Sequence, residues 1–270
     1  MDASQSLAAE YSVKATAYAQ YWSPVIRPMA LPLLPALPLR TARRVVDMGT
    51  GTGALLADLN HAAPEAMVIG VDRAEGMLRV ARRSGHRLLA VTDAQHLGIR
   101  SGTVDVVVLI FVLFHLPDPL AGLREAYRVL RDGGTVGMVT WGQDPGSPGL
   151  SVWRDELDRE GAASDPRDPS VMQQASMDTP EKLRRVLSAA GLASVNVWNA
   201  NVVHQWALDD LIAVQAACGM PARRLSSLST EGRERCQLRV TDRLKRLTQT
   251  ELTYRAEVLL AVANRPEQHR

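Results

Sequence analysis

Hydrophobic and polar residues alternate along this chain in two different periods. From residue 43 to residue 141, short apolar runs alternate with segments whose apolar positions recur every three or four residues. Near-continuous apolar runs are typical of parallel strands buried on both faces, and the longer period is typical of the helices that cover them. Strands are predicted at 44–48, 67–71, 87–91, 105–111 and 135–141. Helices are predicted between them at 54–61, 74–83 and 119–131.

The pattern continues less regularly in the C-terminal half. A helix is predicted at 180–190, with Thr179 as its N-cap and Gly191 after its end. Apolar runs at 193–199 and 254–263 are candidates for the last two strands. The predicted fold class is therefore α/β, with a doubly wound, seven-stranded, mostly parallel sheet.

Three segments fall outside this alternation. The first, at 1–42, contains an amphipathic helix at 11–27. The second, at 143–178, is rich in Pro, Gly and Ser, and the third, at 207–250, is helical. Long insertions in a compact domain are usually functional, so we expect the latter two to be lids. The predicted division is an N-terminal helical cap at 1–42, the core at 43–142, a first insertion at 143–178, a core helix and strand at 179–206, a second insertion at 207–250, and the final strand and tail at 251–270.

The first predicted strand ends in a glycine-rich turn. Residues 45–59 read VVDMGTGTGALLADL, so that Asp47 ends the strand and Gly49, Gly51 and Gly53 follow it. Glycines there let backbone N–H groups and a helix N-terminus approach a ligand that a Cβ would exclude. Asp72 ends the next strand, where a carboxylate can accept the hydroxyl protons of a ribose.

Taken alone, this motif has more than one interpretation. Gly49, Gly51 and Ala54 also satisfy the G-x-G-x-x-G/A pattern of dinucleotide-binding proteins, which would indicate a nicotinamide-dependent oxidoreductase. A turn that merely links a strand to a helix is a third interpretation.

Further segments follow the glycine turn in a family's order. The Asp-x-Gly-x-Gly-x-Gly at 47–53 resembles motif I of the class I S-adenosylmethionine-dependent methyltransferases. Residues 68–82, VIGVDRAEGMLRVAR, and 91–99, VTDAQHLGI, resemble the family's ribose and adenine segments. Residues 111–142 resemble the fourth and fifth strand region of the ubiquinone/menaquinone-biosynthesis-like group, in which His-Leu-Pro-Asp precedes a helix ending in Arg-Val-Leu-x-x-Gly-Gly. The chain departs from that group at Arg131-Asp132, in a turn, and at Phe114, where a second His is common.

The resemblance implies a Rossmann-like fold and S-adenosyl-L-methionine as the cofactor, with S-adenosyl-L-homocysteine as its product. It assigns the methionyl end to Asp47 and the glycine turn, the ribose to Asp72, and the adenine to Asp93 and its neighbours. The cofactor-binding residues implied in this way are Asp47, Gly49, Gly51, Gly53, Asp72, Arg73, Met77, Asp93, Ala94, Phe111 and, on the N-terminal helix, Tyr18.

The side of the methyl acceptor is less well defined. His115 follows a predicted strand at the edge where ligands bind in open α/β sheets. It is the candidate catalytic base, and a helix-entry residue satisfied by the backbone is the alternative. Because Phe114 replaces the family's second His, the acid–base role stays undetermined. The candidate acceptor-pocket residues are Tyr21, Trp22, Trp153, His204 and Trp206.

Two further groups each have two interpretations. The aromatic cluster of the N-terminal helix either covers the cofactor or packs on the sheet edge; its members are Tyr11, Tyr18, Tyr21 and Trp22. The Arg-rich stretch 223–246 either binds an acidic substrate or is a solvated helix face, and the second is favoured.

Composition narrows the partners. Lys plus Arg is 31 and Asp plus Glu is 29, so the net charge of +2 gives no reason to expect nucleic acid. The two cysteines form no CxxC pair and the histidines are scattered, so no metal site is expected. No signal peptide is recognised, and the apolar run 106–116 is too short to cross a bilayer. We therefore expect a cytoplasmic protein without membrane partners; the sequence leaves a homodimer open.

The predicted function is methyl transfer to an O, N or C nucleophile of a small molecule, such as a secondary metabolite or a quinone-like compound. One alternative is a methyltransferase-fold protein that binds the cofactor without methylating. The oxidoreductase is less favoured because it leaves Asp47, Asp93 and the segment 115–134 unexplained.

Overall fold

The computed structural model describes residues 2–143 and 148–267, which contain a seven-stranded sheet. The strands lie in the order β3-β2-β1-β4-β5-β7-β6. β7 runs antiparallel to both of its neighbours, and the other neighbouring pairs are parallel. The predicted mostly parallel sheet is confirmed. The strands are β1 Arg44–Met48, β2 Met67–Asp72, β3 Leu89–Val91, β4 Val104–Ile110, β5 Leu130–Trp141, β6 Ala193–Gln205 and β7 Thr253–Asn264.

Eleven α-helices are seen within the described residues, several of them with caps visible in the sequence. Asp118 accepts the Ala121 N–H at the start of the helix Pro119–Val129, and Thr179 accepts the Lys182 N–H at the start of the helix Pro180–Ala189. The helices are α1 Ala3–Ala17, α2 Ser23–Ala30, α3 Leu56–Ala62, α4 Glu75–Arg83, α5 Pro119–Val129, α6 Pro148–Arg159, α7 Pro180–Ala189, α8 Leu208–Ala217, α9 Gly219–Leu225, α10 Thr230–Leu244 and α11 Gln249–Leu252.

The centre of the sheet is fully buried. Val106, Val107, Val108 and Leu109 of β4 are 0% exposed. Burial of a side chain of this size stabilises the fold by about 1.5–3 kcal/mol. The carboxyl ends of β1, β2 and β4 are thus held by a rigid core, and open α/β sheets bind ligands at that edge.

The predicted helix at 11–27 is longer than expected and is interrupted. It begins at residue 3, and a π-helical turn, Tyr18–Trp22, separates α1 from α2. Pro24 explains the interruption, because it has no N–H to donate and its ring crowds the carbonyl four residues earlier. The Ser23 N–H instead donates to the Tyr18 carbonyl.

The other differences concern lengths and small elements. β6 extends to Gln205 because it pairs with β7 along its whole length. The second insertion, predicted only as a helical stretch, is divided into separate helices, and Ser229 caps α10 at its start. The short helix α11 follows at its end. Of the predicted segments, residue 1 of the cap, 144–147 of the first insertion and 268–270 of the tail lie outside the described residues.

Two kinds of feature are missing from residues 2–143 and 148–267. None of their helices is long and apolar enough to cross a membrane. No three His, Cys, Asp or Glu side chains among them are grouped so that they could hold a metal ion.

Candidate functional site

The three glycines after β1 have different surroundings. All three have positive φ: 81° at Gly49, 57° at Gly51 and 77° at Gly53. A Cβ on Gly49 would lie 2.3 Å from Val112 Cγ2, and one on Gly53 would lie 2.9 Å from His86 Cδ2. A Cβ on Gly51 would meet no atom within 4 Å. Gly51 therefore borders open space, whereas Gly49 and Gly53 are required by close packing.

Asp72 at the end of β2 holds this turn. Its Oδ2 accepts the Gly51 N–H at 2.8 Å, and its Oδ1 accepts the Ala74 N–H at 2.7 Å. Burial raises the pKa of Asp72 above its usual value, and these backbone hydrogen bonds oppose the shift. Each carboxylate oxygen can accept a second hydrogen bond, so the group can still bind two hydroxyls.

Asp47 is a buried carboxylate without a cation beside it. Its Oδ2 accepts the Thr50 hydroxyl at 2.7 Å, and the residue is 2% exposed. Burial raises the pKa of Asp47 to about 7. No Lys, Arg or His of the described residues forms an ion pair with it. A buried carboxylate of this kind favours a ligand that brings a positive charge.

These residues line one cleft at the carboxyl edge of the sheet. The cleft encloses about 1130 Å³, its opening to solvent included. Ten of the eleven predicted cofactor residues line it: Asp47, Gly49, Gly51, Asp72, Arg73, Met77, Asp93, Ala94, Phe111 and Tyr18. Gly53 does not line it, because that glycine faces α4, where a Cβ would lie 3.1 Å from Ala81 Cβ.

The N-terminal helix covers this cleft. Leu7, Ala8 and Tyr11 of α1 line it. The helix is docked on α4, where the Gly76 N–H donates to Ser12 Oγ at 3.1 Å. Arg73 strengthens the docking, since it pairs with Asp93 at 3.0 Å and with Asp2 at 3.2 Å.

A second cavity adjoins the cleft. It encloses about 1770 Å³, its opening included. Four residues line both spaces: Tyr11, Tyr18, Phe111 and His115. Phe111 has φ 55°, which is rare for a bulky residue, and its ring lies 4.3 Å from that of Trp141. A molecule in the cleft and one in the cavity would therefore meet between these four side chains.

His115 and Tyr11 form a hydrogen-bonded pair at this meeting point. The Tyr11 hydroxyl lies 3.0 Å from His115 Nε2, and the Val171 carbonyl oxygen lies 3.5 Å from Nδ1. Burial, and then the charge of Arg167, lower the pKa of His115 to about 4. Burial raises the pKa of Tyr11 to about 12. At neutral pH the imidazole is therefore uncharged, and Nε2 is the nitrogen that can accept a proton.

Of the five predicted acceptor-pocket residues, one lines the second cavity. Trp22 lines the second cavity, but Tyr21, Trp153, His204 and Trp206 do not. Trp153 is 0% exposed because it packs inside the core. Its Nε1–H has no acceptor among the described residues. Trp206 stacks at 6.5 Å on Trp22, and His204 packs on Trp206 at 4.3 Å. These two support the wall of the cavity from behind.

Part of the Arg-rich stretch is a solvated helix face, as the favoured interpretation expects, since Arg233, Arg235, Lys245 and Arg246 are exposed. Its other arginines make contacts that this interpretation does not include. Arg239 and Arg243 of α10 pair with Glu156 of α6, whose side chain is 3% exposed, so these arginines join two helices. Arg223 is 9% exposed and lines the second cavity. Arg235, Arg239 and Arg243 recur every four residues and so share one face of α10, but this spacing does not tell a face that pairs with another helix from a solvated one.

Other cavity residues were also not predicted as site residues. They include Tyr11 of the N-terminal aromatic cluster, Arg223 of the Arg-rich stretch, Trp141 and Arg167. Trp141 ends β5 at the same edge as His115, so its position at a strand end was a usable signal. Arg167 lies in a segment without regular periodicity, which offered no such signal.

Known proteins resemble this chain in sequence. A family model described as a methyltransferase domain matches residues 46–138. Malonyl-[acyl-carrier protein] O-methyltransferase from Geobacter sulfurreducens is 33% identical over 164 residues, which cover 59% of this chain and 59% of that protein. Demethylmenaquinone methyltransferase from Corynebacterium kroppenstedtii is 30% identical over 165 residues, covering 58% of this chain and 70% of that protein. A Thermus thermophilus protein of the latter name is 37% identical, and the match spans 50% of its length.

Solved structures share the fold. The YcgJ protein from Bacillus subtilis has a TM-score of 0.57 and 21% identity, covering 89% of this chain and 100% of that chain. A putative methyltransferase from Bacillus halodurans has a TM-score of 0.53 and 21% identity, covering 88% and 98%. At this identity the likeness extends to the fold alone.

Proposed function

The chain belongs to the class I S-adenosylmethionine-dependent methyltransferases, and we propose that it transfers the methyl group of S-adenosylmethionine to a small molecule held in the second cavity. The names of the relatives include acceptors as different as malonyl-[acyl-carrier protein] and demethylmenaquinone. They therefore do not define the acceptor of this chain.

The cleft fits the cofactor in its charges and its space. Asp47 is a buried carboxylate that lacks a cation, and the amino-acid end of the cofactor carries an ammonium. Asp72 would accept the two ribose hydroxyls, and Asp93 the adenine amino group, with Met77 and Ala94 beside the ring. Gly51 leaves room where a side chain would fill the cleft.

The observation that carries the proposal is the contact between the two spaces. When bound in the cleft, the cofactor supplies an electrophilic methyl group on a sulfonium. The four shared side chains exclude water from the meeting point, and they align an acceptor with that methyl group. Holding two reactants in line accounts for up to ~7–11 kcal/mol of the barrier in well-oriented systems. The neutral His115 would take up the proton that an acceptor loses.

We assign a lid role to the two insertions. Arg154, Arg167 and Gln174 of the segment 143–178 line the second cavity, as do Val214 and Gln215 of the segment 207–250. Segments that roof a site in this way exclude water and complete the site.

Two measurements test the proposal. Calorimetric titration is expected to show that S-adenosylhomocysteine binds more tightly than NADH. Incubation with S-adenosylmethionine and a panel of phenols, carboxylic acids, amines and quinols is expected to yield S-adenosylhomocysteine with at least one acceptor. Tighter binding of NADH would overturn the cofactor assignment. Tight S-adenosylhomocysteine binding without turnover on any acceptor would favour a non-methylating protein.

Asp72→Asn is expected to weaken S-adenosylhomocysteine binding at least tenfold, about 1.4 kcal/mol or more, because a charged acceptor of two hydroxyls is lost. Asp105→Asn is the matched control. Asp105 also accepts two backbone N–H groups, from Arg43 and Arg44. It lies at the amino end of β4, however, whereas the cleft lies at the carboxyl edge of the sheet. Calorimetry that shows equal affinity in both variants would refute the ribose assignment.

Binding of S-adenosylhomocysteine is expected to weaken as the pH falls. The pKa of Asp47 is about 7 in the unliganded protein, and an ammonium ligand binds the ionised form. Below that pH the carboxyl group must first lose a proton, so the affinity falls roughly tenfold from pH 8 to pH 6. Titrations at both pH values measure this, and Asp47→Asn should lose most of the dependence. A pH-independent affinity in the wild type would show that Asp47 does not bind the ammonium.

A further inference from the structure

A cluster of charged side chains forms one wall of the second cavity. Glu10 and Lys14 come from α1, Asp165 and Arg167 from the segment after α6, and Arg223 from α9; we call these five residues the wall cluster. Arg223 bridges the two carboxylates, with Nη1 3.1 Å from Glu10 and Nε 3.0 Å from Asp165. Lys14 pairs with Glu10 at 2.9 Å, and Arg167 pairs with Asp165 at 2.9 Å.

The wall cluster contains one more positive charge than negative charges. It has three cations and two carboxylates, which leaves a net charge of +1. Two further charged residues line the cavity, the cation Arg154 and the carboxylate Glu257, and they cancel each other. Asp168 shares a small neighbouring pocket with Arg167, but it is exposed and accepts the Ser170 N–H, and the ion pair seen for Arg167 among the described residues is the one with Asp165.

The excess positive charge destabilises the folded protein, because the wall cluster is largely buried. The side chains of Arg223, Asp165 and Arg167 are only 9%, 13% and 19% exposed. Buried charges are destabilising unless a partner of opposite sign and hydrogen bonds compensate them. Arg167 donates to Asp165 through Nε and Nη2, but its Nη1 has no acceptor among the described residues. The wall cluster therefore offers one guanidinium edge to an anion.

The field of these arginines reaches the meeting point of the two spaces. Arg167 and Arg223 both contribute to the low pKa of His115, and both oppose the rise in the pKa of Tyr11. An anion near the wall cluster would therefore lie close to the point where methyl transfer is proposed.

Other parts of the cavity wall are aromatic. The rings of Trp22 and Trp141 lie 6.3 Å apart, and Tyr254 lies 6.4 Å from Trp22. Phe111 packs on Trp141. Walls of this kind bind flat apolar bodies, and they favour ring stacking.

We propose that the acceptor is an aromatic compound that carries a carboxylate, with its ring on the aromatic wall and its carboxylate bound by Arg167 of the wall cluster. The inference rests on the proposed function, since it names the class of molecule that this cavity receives. A carboxylate matches the guanidinium edge, because two parallel N–H donors can face its two oxygens.

The test compares acids with neutral amides of the same shape. Protein saturated with S-adenosylhomocysteine is titrated calorimetrically with benzoate, benzamide, 2-naphthoate and 2-naphthamide. We expect each acid to bind at least tenfold more tightly than its amide. Arg167→Met should reduce this preference to less than about threefold, while Arg167→Lys should retain more than half of it on a logarithmic scale.

Arg154→Met is the matched control, because it removes a cation from the same cavity at an exposed position. It should leave the preference within about threefold of the wild type, and all three variants should bind S-adenosylhomocysteine as the wild type does, which shows that they are folded. Failure of the wild type to bind S-adenosylhomocysteine would overturn the proposed function. If it binds, three results would each overturn the inference alone. The first is an equal affinity for acid and amide, and the second is no binding of any of the four compounds. The third is a preference that is lost in Arg154→Met but not in Arg167→Met.

Discussion

Replacement of Gly51 by alanine is expected to weaken S-adenosylhomocysteine binding by about a hundredfold, equivalent to ~2.7 kcal/mol. The added methyl group would meet no protein atom within 4 Å, so it would occupy space in the cleft that the cofactor needs. The Gly51 N–H donates to Asp72, and a shift of the turn would also displace that carboxylate. Calorimetry at a pH above 7 measures the effect.

Gly51→Ala has a matched control in Gly102→Ala. Gly102 has φ 68°, and a Cβ there would also meet no atom within 4 Å, but its turn does not line the cleft. Alanine in the left-handed region costs roughly 1–2 kcal/mol, so both variants should unfold at similarly lowered temperatures without ligand. Only Gly51→Ala should lose the thermal stabilisation by S-adenosylhomocysteine. Equal stabilisation of both variants by the ligand would mean that the turn is structural only.

The sheet could be predicted from the sequence because its strands have a local signature. β1 and β4 are almost continuously apolar, and in the structure they are buried between neighbouring strands. The carboxyl ends of such strands lie at one edge, so the positions of Asp47, Asp72 and His115 followed from strand order alone.

The cavity wall could not be predicted in the same way, because it depends on packing between distant segments. Trp153 and Trp141 have the same side chain, yet one lies in the core and the other lines the cavity. Gly53 belongs to the motif, but its role is to let α4 approach, which depends on Ala81 and His86. Arg223 is buried between Glu10, 213 positions earlier, and Asp165, so its surroundings come from distant parts of the chain.

The Tyr11–His115 pair contains the site's best placed proton acceptor. A proton that leaves the acceptor could reach His115 Nε2 directly or through the Tyr11 hydroxyl, which lies 3.0 Å from it. Because the pKa of His115 is lowered to about 4, the imidazole is uncharged throughout the neutral range, although it is a weaker base than an ordinary histidine. Methyl transfer to a group that must lose a proton therefore has a neutral base available at the meeting point.

His115→Asn is expected to lower kcat by about 10²-fold with an acceptor that must lose a proton, the lower end of the contribution of general-base catalysis, because a base with a pKa of about 4 is weak. S-adenosylhomocysteine affinity should stay within about threefold, since Asp47 and Asp72 remain. His204→Asn is the matched control, because His204 is also partly buried but lies behind Trp206, outside both spaces. In the wild type, kcat at saturating cofactor should be flat from pH 8 to pH 6 and should fall only below about pH 5, as His115 becomes protonated. The affinity for the cofactor should change at higher pH, near the pKa of Asp47 of about 7. If His115→Asn lowers kcat no more than His204→Asn does, the assignment of His115 as the base is wrong. The contribution of this site would then be the alignment of the reactants.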